Sequence, residues 1–398
     1  MNVPGADVVV VRHGDIGVKS SRVQSWMEGT LAANLEAMLS AREIDGRVEQ
    51  ERGRLFVRTR APEKAALAAA DVFGVVSASP TRSVDPSMES ISEGLAAVAR
   101  QTYDGGSFAV DARRAGDHEF TSQDVGREGG AAIWTAVEDE FEPEVDLDDP
   151  DHRFEVEVRE KEAFVSRERL EGPGGLPVGT QEPLLALISG GIDSPVAAWL
   201  AMKRGAPIVP LYLDLGEYGG ADHRSRAIET VRQLAAYAPD QEWTVRVASI
   251  GSALEALDSR VEGTRMLSVR RLMLQVAESV AENAGAQGIV TGESMGQKSS
   301  QTATNLAVTD RVTALPVHRP LLSFDKQEII ARAREIGTYD TATIDAGCNR
   351  IAPDNPETAA PLERVEAAEP DSLEDWAIEA AAEVELIPVG PILDSKGQ

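Results

Sequence analysis

The chain of 398 residues has one cysteine, Cys348. This excludes an internal disulfide and any cysteine-ligated zinc or iron–sulfur site within one chain. Lysine is nearly as scarce, with Lys19, Lys64, Lys161, Lys203, Lys298, Lys326 and Lys396 the whole supply, and aromatic residues are 5% of the chain. No apolar run reaches about 18 residues, so no membrane span is expected. The first residues, MNVPGADVVVVRHGD, have no basic segment and only four consecutive valines. A signal peptide is therefore not expected, and a cytoplasmic location follows. The histidines, His13, His118, His152, His223 and His318, show no metal-ligand spacing.

Negative charge is abundant: 66 acids stand against 39 bases, for a formal charge of -27. One reading is adaptation to molar salt, as in a halophilic archaeon, where dense carboxylates keep the surface hydrated and screening removes their repulsion. The other is an acidic chain that avoids nucleic acid. Net charge does not decide between them, because at molar salt the Debye length is about 3 Å.

The length predicts two or three domains. Val8–Val11 reads as a strand, 22–41 as a helix with apolar residues at helical spacing, 48–58 as a hairpin, 62–70 as a helix and Val72–Val75 as a strand. This βαββαβ order predicts a small ferredoxin-like α+β domain. A second α+β unit follows, with helices at 88–98 and 123–136 and strands at 107–113, 153–159 and 163–165. Glu138–Asp151, with nine acids and no base, reads as a solvated loop. Gly172–Pro183, with four glycines and three prolines, reads as a linker. From Leu184 strands (184–188, 207–213, 243–249, 287–291) alternate with helices (195–203, 224–237, 265–284, 325–336), which predicts a doubly wound parallel sheet. Residues 357–398, with eleven acids and two bases, read as a tail with one helix near 372–385.

Pro183–Ala197 reads PLLALISGGIDSPVA. An apolar strand, a Gly-Gly turn and a helix opening form a cradle for phosphate: backbone N–H groups and the helix dipole favour an anion. Gly190 and Gly191 let the backbone approach closely. Ser189 and Ser194 can add hydroxyl donors, and Asp193 can hold magnesium. The loop lacks the lysine of GxxxxGK[ST]. It matches the SGGxDS loop of N-type ATP pyrophosphatases, which split ATP between its α- and β-phosphates.

Seven segments occur in order: RHGDIGVKS (Arg12–Ser20), FGVVSASP (Phe73–Pro80), SGGIDSPVA (Ser189–Ala197), RRLMLQVAE (Arg270–Glu278), TGESMGQKSSQTATNL (Thr291–Leu306), HRPLLSFDKQEII (His318–Ile330) and EIGTYD (Glu335–Asp340). Over residues 7–360 the chain resembles the tRNA uracil 4-sulfurtransferases, the ThiI family. The resemblance implies a ferredoxin-like domain (1–79), a THUMP domain (80–170), a linker (171–183), an ATP pyrophosphatase domain of PP-loop type (184–356) and the acidic tail (357–398). It implies ATP-dependent synthesis of 4-thiouridine at position 8 of tRNA, with ATP and Mg2+ as cofactors.

By the same resemblance Leu187, Ile188, Ser189, Gly190, Gly191, Asp193, Ser194, Tyr212, Leu213, Arg270, Gly292 and Gln301 line the nucleotide. Asp193 sits near the magnesium. Lys326 stabilises the transition state, and Cys348, in DAGCNRIAPDNPET, is the active cysteine. Arg113 and Arg114 are expected at the RNA. Expected partners are tRNA and a sulfur donor, either a cysteine desulfurase persulfide passed to Cys348 or free sulfide; a homodimer stays open. Many bacterial members end in a rhodanese domain that carries the persulfide. The chain is expected to lack one, and with it the family's role in thiamine thiazole synthesis. Two other functions stay open: an adenylating or amidating SGGxDS enzyme of another kind, and a non-catalytic THUMP RNA-binding protein.

Overall fold

Val8–Val11 are all buried, because their strand is central in its sheet and covered on both faces. The computed structural model describes residues 3–51, 53–219, 222–342 and 351–392, and the chain divides into two compact units, Met1–Pro177 and Val178–Gln398. The first unit opens with β1 (Val8–His13), α1 (Ser21–Ala41), β2 (Gly46–Glu51), β3 (Arg54–Thr59), α2 (Pro62–Ala69) and β4 (Val75–Val84). Met27, Leu31, Leu35, Met38 and Leu39 recur on one face of α1 and pack with Val9 and Val11 of β1. There follow α3 (Met88–Thr102), β5 (Ser107–Arg114), α4 (Ser122–Val137), β6 (Glu144–Val145), β7 (His152–Val158), β8 (Ala163–Ser166) and β9 (Leu170–Glu171). A capping box between Thr121 and Asp124 starts α4.

These strands form one sheet in the order β2-β3-β1-β4-β8-β7-β5-β6, with β9 also on β4. The strand expected at Val72–Val75 begins only at Val75 and continues to Val84, crossing the boundary expected at residues 79 and 80. Its earlier part pairs with β1 and its later part with β8, so a single ten-residue strand joins the two halves of the unit.

The second unit alternates as expected: β10 (Leu184–Leu187), α5 (Asp193–Lys203), β11 (Ile208–Asp214), α6 (His223–Ala235), β12 (Thr244–Ser249), α7 (Gly251–Arg260), α8 (Arg265–Ala284), β13 (Ile289–Val290), α9 (Ala303–Thr309), β14 (Val317–His318) and α10 (Lys326–Glu335). The chain then adds α11 (Leu362–Ala368), α12 (Leu373–Ala382) and β15 (Glu385–Pro388). The sheet order is β14-β13-β10-β11-β12-β15; β14 to β12 are parallel, and β15 is antiparallel to β12. Helices α5, α6 and α10 cover one face, and α7, α8 and α12 the other.

The tail is a correction. Its last strand closes the sheet, and Leu373, Ala377, Ala380 and Ala381 of α12 are buried in the same core as α8. The acids of α12, Glu374, Asp375 and Glu379, are exposed, while its inner face is apolar. In both directions from β10 the strand order reverses: the chain winds outward through β11 and β12, then returns to β13 on the other side of β10. A switch point of this kind opens a crevice beyond the carboxyl ends of β10 and β13.

Candidate active site

The SGGIDS turn leaves β10 at that crevice. Its helix begins at Asp193, two residues before the start expected from Pro195, with Ile192 at the N-cap and no side-chain cap. The first N–H groups of α5 therefore lack the usual Ser or Asp acceptor, which leaves them for an anion. Within the turn, Ser194 is buried, and its Oγ accepts the Ser189 N–H at 2.8 Å and lies 3.1 Å from Ser189 Oγ. Ser194 thus braces the loop from below rather than standing open above it.

Neither Gly190 nor Gly191 has a positive φ. A Cβ on Gly191 would meet only Ser189 Oγ, at 3.5 Å, and one on Gly190 nothing closer than 3.6 Å. Backbone conformation and packing within the protein do not require glycine there. Gly292, on the loop after β13, is a different case. Its Cβ would lie 2.7 Å from Ser194 N and 2.8 Å from the Asp193 carbonyl carbon, so only glycine lets this loop touch the start of α5.

Around the turn is a cavity of about 750 Å³. Every nucleotide-lining residue expected from the sequence is in its wall: Leu187, Ile188, Ser189, Gly190, Gly191, Asp193, Ser194, Tyr212, Leu213, Arg270, Gly292 and Gln301, together with Lys326. Thr291, Glu293, Gln297, Lys298 and His223 also line it and were not anticipated. Except for His223 these lie within the quoted TGESMGQKSSQT segment, which was the signal available. In a chain of charge -27, this wall holds three cations, Arg270, Lys298 and Lys326, against the carboxylates of Asp193 and Glu293.

Lys326 is the first residue of α10, held there by a capping box in which Asp325 accepts from the N–H groups of Gln327 and Glu328. Its Nζ donates to Asp193 Oδ1 at 2.8 Å, and Gln297 approaches Asp193 Oδ2 at 3.4 Å. Arg270 reaches in from α8; its Nε donates to Ser300 Oγ at 2.9 Å and its Nη1 to Glu293. Gln301, with its amide oriented as its neighbours require, donates to the Ser294 carbonyl and accepts from Arg270. Burial pushes the Glu293 carboxyl up, but Arg270 and Arg319 beside it, with hydrogen bonds from Arg319 and Thr291, outweigh that and hold it below the usual carboxylate range.

Arg113 and Arg114 lie in the first unit, both exposed at the end of β5, where Arg114 Nη1 donates to the Gly116 carbonyl at 3.1 Å. Cys348 lies outside the described residues. Among the described residues no cluster of three or more metal-ligating side chains occurs. A second opening, of about 810 Å³, lies between β5 and α4. Its wall is apolar, with only Asp111 and Arg127 charged, so it offers no reactive constellation.

Residues 179–373 match the family model described as thiamine biosynthesis protein (ThiI), residues 86–168 the THUMP domain and residues 8–79 the ThiI ferredoxin-like domain. The chain is 62% identical over 380 residues to the "Probable tRNA sulfurtransferase" of Halobacterium salinarum, spanning 96% of this chain and 97% of that one. It is 43% identical over 358 residues to the protein of the same name from Methanosarcina acetivorans, spanning 89% and 87%. The fold is similar to that in the crystal structure of a 4-thiouridine synthetase–RNA complex with bound ATP, with a TM-score of 0.83 and 28% identity over 96% of this chain and 100% of that one.

Proposed function

The chain belongs to the ThiI family of tRNA sulfurtransferases, and from that premise we propose that it replaces the C4 oxygen of uridine 8 in tRNA with sulfur, through an adenylated uracil. The observation that carries this reading is the cavity at the switch point, where an uncapped helix start, the Gly-Gly turn and Lys326 converge. In the proposed reaction the uracil oxygen attacks the α-phosphorus of ATP, and diphosphate leaves. Sulfur then adds at C4, and the C4–O bond breaks to release AMP. Adenylation thereby turns a poor leaving group into a good one.

The SGGIDS turn holds the diphosphate end. Leu187, Ile188, Tyr212 and Leu213 pack beside the nucleoside, and Arg270, Gly292 and Gln301 complete the wall. Lys326 supplies a fixed positive charge to oxygens that gain charge in the transition state. Magnesium is compatible with this site: one carboxylate with phosphate oxygens is a common donor set, and Asp193 lines the cavity outside the Arg270–Arg319 cluster, with Lys326 on its Oδ1 as the contact that an ion there would share or displace. Asp193 would hold the ion, which would neutralise phosphate charge.

Arg113 and Arg114 contact the RNA. In molar salt counterion release gives little affinity, so shape and hydrogen bonds carry the recognition. Cys348 receives the sulfur as a persulfide and delivers its terminal sulfur to C4. The attack displaces AMP and leaves a disulfide between Cys348 and the sulfur on C4; with no second cysteine in the sequence, one external thiol cleaves it to free 4-thiouridine and a second reduces the mixed disulfide left on Cys348. The test is thiolation of a tRNA transcript by the purified chain with ATP and a persulfide donor, read by nucleoside mass spectrometry. One 4-thiouridine per AMP supports the reading, and ATP turnover to ADP with unchanged tRNA overturns it. Equal product from Cys348→Ser supplied with sulfide would remove the persulfide step alone.

A further inference from the structure

Arg270 and Glu293 come from different elements, one from helix α8 and the other from the loop after β13, and meet in the cavity wall. A guanidinium has five N–H donors. Those of Arg270 reach Ser300 Oγ through Nε, Glu293 Oε1 through Nη1 and Gln301 through Nη2. Three directions are thus committed to the protein, and the remaining donors belong to a side chain that lines the cavity.

Glu293 is itself held from behind. Its Oε2 accepts from Arg319 Nε at 2.7 Å and from Thr291 Oγ1 at 3.0 Å. Arg319 in turn grips Asp310 with two parallel bonds of 2.9 and 2.6 Å. Asp310, Arg319, Glu293 and Arg270 form a chain of alternating sign that ends at the cavity. Both inner members are buried, Glu293 at 7% exposure and the Arg319 side chain at 9%. A buried carboxylate between two arginines has one stable position, and an arginine anchored to it has few rotamers left.

We infer that Glu293 is a positioning residue that orders the Arg270 guanidinium before the nucleotide arrives and directs its remaining donors at it. Binding then avoids the cost of ordering a long side chain. The inference rests on the nucleotide reading above.

Non-additivity separates an effect through Arg270 from a general structural one. ATP affinity of the full chain is measured by calorimetry in molar KCl for the unsubstituted protein, Glu293→Gln, Arg270→Gln and the double variant. Glu293→Gln should weaken ATP about tenfold, but by less than about twofold when Arg270→Gln is already present. The inference is overturned if Glu293→Gln alone leaves affinity within about twofold, or if the double variant loses the product of the two single effects. Should Glu293→Gln fail to fold, Glu293→Asp, which keeps the charge but withdraws it by one methylene, enters the same cycle. If the unsubstituted chain binds no ATP, the nucleotide reading itself falls, and this inference with it.

Discussion

Two glycines in the cavity wall should fail in opposite ways when replaced by alanine. At Gly292 the added methyl would lie 2.7, 2.8 and 2.9 Å from Ser194 N, Asp193 C and Ser194 Cα. All three are backbone atoms, so no rotamer relieves the clash; either the loop after β13 or the start of α5 must move. Overpacking of this kind costs about 1–3 kcal/mol. For a unit of this size each kcal/mol lowers the melting temperature by about 2–4 °C, which gives a drop of roughly 2–12 °C. A misplacement approaching 1 Å at the phosphate loop should also lower kcat/KM about a hundredfold. At Gly191 the methyl would meet only Ser189 Oγ, at 3.5 Å, and the residue has no positive φ. Gly191→Ala should therefore melt within about 1–2 °C of the parent. It should lose roughly 10–100-fold in ATP affinity, the equivalent of one hydrogen bond from a backbone N–H to a charged phosphate. Thermal unfolding and calorimetric titration with ATP, on both variants, separate the cases. A Gly191→Ala protein that binds ATP like the parent would refute the assignment of this turn as the phosphate cradle.

Lys326→Ala should lower kcat for thiolation by about 10²–10³ while changing ATP affinity far less, because the charge acts in the transition state; an effect confined to KM would contradict that role. Glu157 is buried among Arg54, Arg159 and Arg12, and although burial pushes its carboxyl up, these cations hold it below the ordinary glutamate value of 4.5. A depressed folded-state pKa means stability that is full above pH 4.5 and lost as pH falls through the lower value. Glu157→Gln should thus cost about 3 kcal/mol in denaturant unfolding at neutral pH and progressively less in acid; a cost independent of pH would count against the reasoning. With a net charge of -27, the chain should gain stability as KCl rises from dilute buffer to about 2 M, and a melting temperature that peaks in dilute buffer would exclude salt adaptation.

The strand, turn and helix around SGGIDS are readable because all of their determinants are local: an apolar strand, two glycines and a helix opening within fifteen residues. The same holds for the alternation that specified the parallel sheet. Where the structure departs from the sequence reading, the determinants are distant. The expected strand ends at Val75, whereas β4 runs from Val75 to Val84 with Pro80 opposite Val9. Its neighbour strands, β1 and β8, lie far away on either side in sequence. The C-terminal segment reads as a tail because its eleven acids stand against two bases; only the edge of β12 reveals Glu385–Pro388 as a strand. Glu293 is one acid within a longer motif. Its significance comes from Arg270 and Arg319, which approach it from two other elements.

The most direct test of adenylation at the uracil oxygen follows that atom. A tRNA carrying oxygen-18 at C4 of uridine 8 is thiolated in a single turnover with ATP and a sulfur donor, and the released AMP is analysed by mass spectrometry. The proposed route sends the labelled oxygen into AMP, one label for each 4-thiouridine formed. Unlabelled AMP beside fully formed 4-thiouridine would contradict it, because the C4 oxygen would then have left without ever being bonded to phosphorus.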